Sequence, residues 1–413
     1  MPSFSIPLTG LQADTTALNT IANNLANMNT TAYKSQKAIF SDFFYQQVGT
    51  AGSGDPQQVG VGTRISAIST NFAAVGFTPT GSPTDMALNG AGFFVLDNRG
   101  VAEYCRAGNF TLDSAGNLIT QDGLSVMGYP AVNGVVDDSA ALVPLNIPEN
   151  QVQGAQATQN ISVGANLDPI AADGTLAPPA TITVHDSLGV AHVATVKLTR
   201  NSANGGWDYV ISLPATDYSG TATNTTGTLK FDASGNLDSP AADVSGVSFA
   251  ALTDGANDLN FNWNLYDANG QGTISQVASA TGSGIASVSS DGHASGEYKS
   301  FAVDSDGVIS VQFDNGQLSA VGQLALATVT NQQGLLHLGS GNYATTLASG
   351  QASVGVAGTG GRATIQGDAL ESSNVDISTE FANLIVAQRA FEANSKAITT
   401  FDTISQVTIN MIR

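Results

Sequence analysis

Phe381-Ala-Asn-Leu-Ile385-Val-Ala-Gln-Arg389-Ala-Phe391-Glu-Ala-Asn394-Ser-Lys-Ala-Ile398-Thr-Thr-Phe401 is the stretch that decides the architecture. Its large apolar residues, Leu384 among them and Ile404, Val407 and Met411 beyond, recur mostly three, four or seven apart, the spacing of one face of an α-helix. No Pro or Gly interrupts the chain after Gly367, and Asn374 or Asp376 supplies an N-cap with Glu380 in the first turn. These signals predict a helix from about Asp376 to Arg413, about 50 Å long at about 1.5 Å per residue. Its other faces carry Asn, Ser, Thr and Gln more than Lys and Glu.

The opposite end has the same character. Leu11, Leu18 and Leu25 are seven apart, Ile21 and Met28 form a second seven-residue row, and Asp14 interrupts the stripe. Thr15, Thr16, Asn19, Thr20, Asn23 and Asn24 occupy the remaining faces. Polar but uncharged back faces pack against identical neighbours without like-charge repulsion, and neither helix is rich enough in strong formers to stand alone. Two such helices at the two ends of a long chain predict pairing with each other and self-assembly through the ends.

Between them the pattern changes. From about Gly76 to Gly367, short β-branched and aromatic runs alternate with turn residues. Asp113-Ser-Ala-Gly116, Asp232-Ala-Ser-Gly235, Asp267-Ala-Asn-Gly270, Asp304-Ser-Asp306-Gly307 and Asp314-Asn-Gly316 each separate two apolar stretches. Asp caps its own turn and Gly supplies positive φ, so the middle is expected to be all-β and built of hairpins. The fold class expected is α+β, mainly β, with paired, coiled-coil-like terminal helices flanking nested β domains. Residues 1–33 and 375–413 would form the helical assembly domain, 34–75 a connecting region, 76–145 and 285–374 a discontinuous β domain, and 146–284 an inserted outer β domain.

Composition narrows the function. Only 11% of the 413 residues are charged, so the surface is mostly Ser, Thr, Asn, Gln, Gly and Ala. A formal net charge of −20 disfavours nucleic acid and anionic membrane surfaces. No apolar run is long enough to insert in a membrane, and the start lacks the basic and apolar regions of a cleaved export signal. The lone Cys105 allows no internal disulfide and reads as a small core residue. His185, His192, His293 and His337 show no metal-ligand spacing, and no nucleophile elbow or phosphate loop occurs, so neither an enzyme nor a cofactor or metal is expected. Asp304-Ser-Asp306-Gly307 has the carboxylate density a calcium ion wants, but the sixth and twelfth positions of an EF-hand loop starting there are Ile309 and Asn315. A calcium-dependent secreted β-rich adhesin is the alternative on that ground.

Asn23-Asn24-Leu25-Ala-Asn27-Met28-Asn-Thr-Thr-Ala32-Tyr33-Lys34 resembles the N-terminal signature of the flagellar rod and hook axial proteins. Leu370-Glu-Ser-Ser-Asn374-Val-Asp376 and Ile385-Val-Ala-Gln388-Arg389-Ala-Phe391-Glu-Ala-Asn394-Ser-Lys396 resemble the matching C-terminal signature. Ala32 stands where the family usually has Gly, so a backbone with positive φ there would have to be replaced by another local turn. Pro83 to Val95 is similar to a segment shared by distal rod and hook members. Asp291 to Glu297, Val303 to Ile309 and Val321 to Ala327 are similar to the hook branch, which the chain length also favours over a distal rod axial protein.

The resemblance implies a structural subunit that polymerises with itself into a curved, flexible tube, a universal joint transmitting torque from rod to filament. It implies an extracellular place in the bacterial flagellum, reached through the flagellar type III export apparatus without a cleaved signal. The neighbours implied are the distal rod protein, the hook–filament junction protein and the hook cap. The residues that the apolar stripes and the two signatures together assign to assembly are Leu11, Leu18, Ile21, Asn23, Asn24, Leu25, Asn27, Met28, Tyr33 and Lys34 at one end. At the other they are Asn374, Asp376, Phe381, Leu384, Ile385, Gln388, Arg389, Phe391, Asn394, Ile398 and Phe401.

Overall fold

A computed structural model describes residues 5–50, 52 and 55–411. The chain is mainly β, with one helix near each end, α1 (Ser5–Ala26) and α2 (Ile377–Met411), and the two helices pack together. Two compact units divide it: Met1–Glu149 with Ser300–Gln312 and Leu318–Arg413, and Asn150–Lys299 with Phe313–Gln317.

In the first unit, α2 starts where the capping signal puts it. Asp376 Oδ1 accepts the Thr379 amide at 2.7 Å, and the Asp376 carbonyl takes the first helical hydrogen bond from the Glu380 amide. The expected positions 412 and 413 lie outside the described residues. α1 ends earlier than the apolar stripe implied. Asn27 Nδ2 bonds the Asn23 carbonyl and side chain at 2.9 Å, and Thr30 Oγ1 bonds Asn27 Oδ1 at 3.1 Å. These local side-chain bonds compete with helix propagation, so Met28 sits in a turn, exposed, and not on the helix face.

Two exposed hairpins follow. Gln36–Asp42 pairs with Thr63–Thr70, and Tyr45–Thr50 pairs with Pro56–Gly60. Beyond them a twisted antiparallel sheet has the spatial order Val308–Phe313, Leu318–Leu324, Ser125–Val132, Phe93–Asn98, Val101–Cys105, Asn342–Ala344, Leu336–Gly339. Phe93, Val95, Tyr104, Tyr129, Ala325, Ala327, Leu335 and Tyr343 form one of its cores. Strand Met86–Asn89 pairs with Thr364–Gly367, and Phe77–Pro79 pairs with Ala369–Glu371, which brings sequence-distant segments beside the helix pair. Cys105 is buried, its Sγ 3.3 Å from the Ala107 carbonyl, and burial pushes its thiol pKa well up, away from any nucleophilic role.

The second unit packs a five-stranded meander, starting at Ala180–His185, against a second sheet centred on Asn160–Asn166. Asn160–Asn166 alternates half-buried and buried along its length, and most of Ala191–Asn201 alternates mainly exposed with buried positions, the period-two signature of a strand with one face in a core. Trp207, Trp263, Phe249 and Phe261 fill the space between the sheets, with Tyr209 edge-on to Trp263 at 5.1 Å. Not every neighbour is a hairpin: Asn160–Asn166 runs parallel to Leu259–Asn264 and to Ile274–Ser275. Gly284–Ser290 pairs antiparallel with the same strand, so the stretch 285–299 that the sequence assigns to the flanking domain is part of this unit.

The recurrent Asp-x-x-Gly turns share one geometry. In each, the Asp Oδ1 accepts backbone amides two and four residues on: Ala115 and Asn117 for Asp113, Ser234 and Asn236 for Asp232, Asn269 and Gln271 for Asp267, Asp306 and Val308 for Asp304. Gly116, Gly235, Gly270 and Gly307 follow with φ between 76° and 84°. Those amides occupy the carboxylate oxygen, as hairpin capping requires.

Candidate assembly interface

The two signatures meet. Asn24, almost fully buried at 1% exposure, uses its whole amide within its own chain: Nδ2 donates to the Gln36 carbonyl (2.7 Å) and Glu380 Oε1 (3.3 Å), while Oδ1 accepts from the Gln36 amide (2.9 Å) and the Tyr33 hydroxyl (3.2 Å). Asn374 accepts the Ser35 amide and donates to the Asn71 carbonyl, both at 2.6 Å. Beneath them lies a buried charge group. Lys34 Nζ is 2.6 Å from Glu371 Oε1, and Arg106 Nε is 3.0 Å from Glu371 Oε2, with Lys34 and Glu371 side chains fully buried.

Two cations against one anion would be costly by themselves. The excess is spread over carbonyls: Lys34 also donates to Ala73, and Arg106 donates to Leu88, Gly90 and Gly92. Burial lowers the Lys34 pKa and the Glu371 hydrogen bond opposes that shift. Burial also raises the Tyr33 pKa, with Glu380 adding to it. Glu371 stands inside the quoted C-terminal signature, but its partner Arg106 carried no signal beyond being a rare cation in a chain with 13 Lys and Arg.

Ala32 takes positive φ itself, at 53°, and its amide bonds the Glu371 carbonyl at 2.8 Å. The expectation of a different local turn is therefore corrected: the alanine accepts the left-handed conformation because this hydrogen bond and its burial hold it there. Along the helices, Asp14, which interrupted the apolar stripe, receives Asn394 Nδ2 at 2.8 Å, and Gly10 makes room for the same side chain. That polar clasp fixes the register of α1 on α2, as a buried polar residue does in a coiled coil.

Leu11, Leu18, Ile21, Leu25, Leu384, Phe391, Ile398 and Phe401 are half-buried. Phe381 and Ile385 remain about half exposed, Gln388 and Arg389 are exposed, and so are Val386, Ile404, Val407 and Ile409. The hairpins beside them expose Ile39, Phe40, Phe43, Phe44, Tyr45 and Val48. A groove bounded by α1, α2 and Gln36–Phe40 opens between these surfaces, and Glu380 lines it with a raised pKa caused first by burial. Thus part of the signature (Asn24, Lys34, Asn374) builds the joint between the helices and the β domain, Asp376 caps α2, and of the predicted apolar residues Phe381, Ile385 and Met28 are exposed while the others are half-buried.

Among the described residues, no helix is long and apolar enough to cross a membrane. Four family models match the chain: Flagella basal body rod protein over 7–34, Flagellar hook protein FlgE/F/G D1 domain over 87–166, Flagellar basal body protein FlaE D2 domain over 156–293, and Flagellar basal body rod FlgEFG protein C-terminal over 366–411. The flagellar hook protein FlgE of Salmonella typhimurium is 33% identical over 99% of this chain and 100% of its own length. That of Treponema pallidum is 31% identical over 100% of both. Among solved structures, the Helicobacter pylori flagellar hook protein FlgE2 shares the fold, with a TM-score of 0.52 at 15% identity over 71% of this chain and 100% of that one. With matching signatures at both ends, a hook-type middle and full-length relatives above 30% identity, the chain belongs to the flagellar hook protein FlgE family.

Proposed function

We infer that this chain is the subunit of a helical homopolymer, a curved and bendable tube in which the paired termini supply cohesion at small radius and the β domains supply compliance at large radius. The observation that carries the reading is the row of exposed apolar side chains on α2 and on the two hairpins, Phe381, Ile385, Val386, Phe40, Phe43 and Phe44 among them, beside cores that are already closed. A monomer gains nothing from such a surface; a second copy laid on it removes the apolar area from water at about 25 cal/mol per Å². On the last turns of α2, Ile404, Val407 and Ile409 are exposed, a continuation of the same surface.

The inserted β domain has the opposite surface. Its exposed strand positions mix Thr, Ser and Asn with Lys, Ala and scattered single Val residues, and carry no exposed Phe, so its contacts are wetter and exchange at smaller cost. In this reading residues 34–75 brace adjacent subunits and 146–284 sets stiffness and curvature. The distal rod protein, the hook–filament junction protein, the hook cap and the type III export apparatus are the neighbours that follow, with an extracellular place in the hook of the flagellar basal body and no enzymatic activity. Electron microscopy of the purified chain, and of appendages sheared from cells, tests the reading. Curved tubes are the expected product. Straight rods would move the chain to the distal rod, and persistent isolated particles at high concentration would defeat the polymer reading.

A further inference from the structure

The second unit gathers three carboxylates round one buried histidine. His192 (5% exposed) has Nε2 at 3.3 Å from Asp186 Oδ2 and 3.4 Å from Asp254 Oδ2, and Nδ1 at 3.1 Å from Asp217 Oδ2. Each carboxylate is anchored by its other oxygen. Asp186 Oδ1, fully buried, accepts the Leu188 and Val190 amides at 2.8 and 2.9 Å, a further copy of the hairpin turn described above. Asp254 Oδ1 accepts the Ala256 amide, and Asp217 Oδ1 accepts the Thr216 hydroxyl, both at 3.0 Å. Asp186, His192 and Asp254 thus converge three potential ligand atoms within 4.8 Å of one another.

We propose that Asp186, His192 and Asp254 form a site for a divalent transition-metal cation of the zinc type, with Asp217 orienting the imidazole from behind. Two ligand atoms bound about 2.0–2.1 Å from a tetrahedral zinc ion stand about 3.3–3.4 Å apart, the spacing the two carboxylate oxygens keep from Nε2. A metal-bound histidine commonly gives its other ring N–H to a carboxylate, which fixes the tautomer; Asp217 is placed to take it. Mixed imidazole and carboxylate donors suit zinc-like ions better than calcium or magnesium, which prefer oxygen alone. An ion held there would cross-link the hairpin turn at Asp186 to the loop at Asp254 and so stiffen this unit. The histidine spacing in sequence hid the site, because two of its ligands come from one hairpin and the third from a loop about sixty residues on.

The test is calorimetric titration of the full monomeric chain with Zn2+, alongside Ca2+ and Mg2+, before and after Asp254→Asn. Asp254 is exposed, so this variant keeps the fold, and circular dichroism of both proteins checks it. The expected result is saturable binding of one Zn2+ per chain with proton release, a raised melting temperature, and at least about tenfold weaker binding in D254N. Nitrogen NMR of His192 should show Nε2 shifting on zinc addition while Nδ1 keeps its proton. No saturable zinc binding up to about millimolar concentration, binding unchanged in D254N, or a His192 that stays doubly protonated with zinc present would each overturn the site and leave an imidazolium held among carboxylates.

Discussion

At Ala32 several small free energies compete. The left-handed backbone costs an alanine about 1–2 kcal/mol, but glycine there would free the unfolded chain by about 0.4–1 kcal/mol and give up a buried methyl worth at most about 0.8 kcal/mol. Ala32→Gly should therefore change stability by no more than about 1.5 kcal/mol in either direction, whereas Ala32→Val, β-branched at φ 53°, should cost about 2 kcal/mol or more. Urea unfolding of the monomer measures both. Glu371 has more at stake: Glu371→Gln leaves Lys34 and Arg106 buried without their anion and should cost about 3–5 kcal/mol, while Lys34→Met retains the Arg106 pair and should cost clearly less. Equal losses would show that the anion is not the hub. Glu380 gives the pH-dependent case. Its folded pKa is raised above 4.5, mainly by burial, so the stability it contributes is fully present below pH 4.5 and declines as pH rises through the raised value. Glu380→Gln should be relatively more favourable at pH 7 than at pH 4, and a wild-type and variant pair with parallel pH profiles would refute this. Little of this residue scale was visible beforehand. Asp376 declared itself as a cap because capping is local, but Arg106 and Glu371 are 265 positions apart and no periodicity links them.

The helices and hairpins were the easiest elements to anticipate, because each is specified by a few adjacent residues: a 3.6-residue stripe, or an Asp and Gly flanked by strands. What escaped was the parallel pairing of Asn160–Asn166 with Leu259–Asn264, which depends on chain entering the sheet from about a hundred residues away. The true end of α1 also escaped, since the apolar spacing through Met28 carries no trace of the Asn27 side chain that bonds the Asn23 carbonyl. For α2 the exposed stripe makes a clear prediction. Ile385→Asn should leave monomer unfolding within about 1 kcal/mol of wild type, because the side chain is about half exposed in the monomer. If a neighbouring copy buries it, the loss of about 1.5–3 kcal/mol per contact should raise the critical concentration for polymerisation by about tenfold or more. Light scattering against concentration reads this directly; an unchanged critical concentration would remove this face from the interface.

For the whole molecule the two units predict separable roles. Replacing 150–299 with a short flexible linker should leave the helix pair, the Lys34–Glu371–Arg106 group and the exposed hairpins intact, since all lie in the first unit. Such a chain should still polymerise, into tubes that are straight or differ in stiffness when imaged by electron microscopy. Failure to polymerise at all would assign cohesion to the outer β domain and reverse the division of labour. The arrangement also orders events in time. Hairpins capped by their own Asp residues close from a dozen or so residues, on a scale of about 1–10 μs. Lys34, by contrast, finds its anion 337 residues later, and Asn24 reaches Glu380 356 residues on. A chain delivered from one end to the other cannot seat its first helix until almost its last turn has arrived. A subunit cut short before Glu371 therefore keeps an uncompensated cation and an unpaired α1, and has no completed edge to offer a growing end. In a polymer built through these termini, the joint would therefore discriminate against chains that end before Glu371.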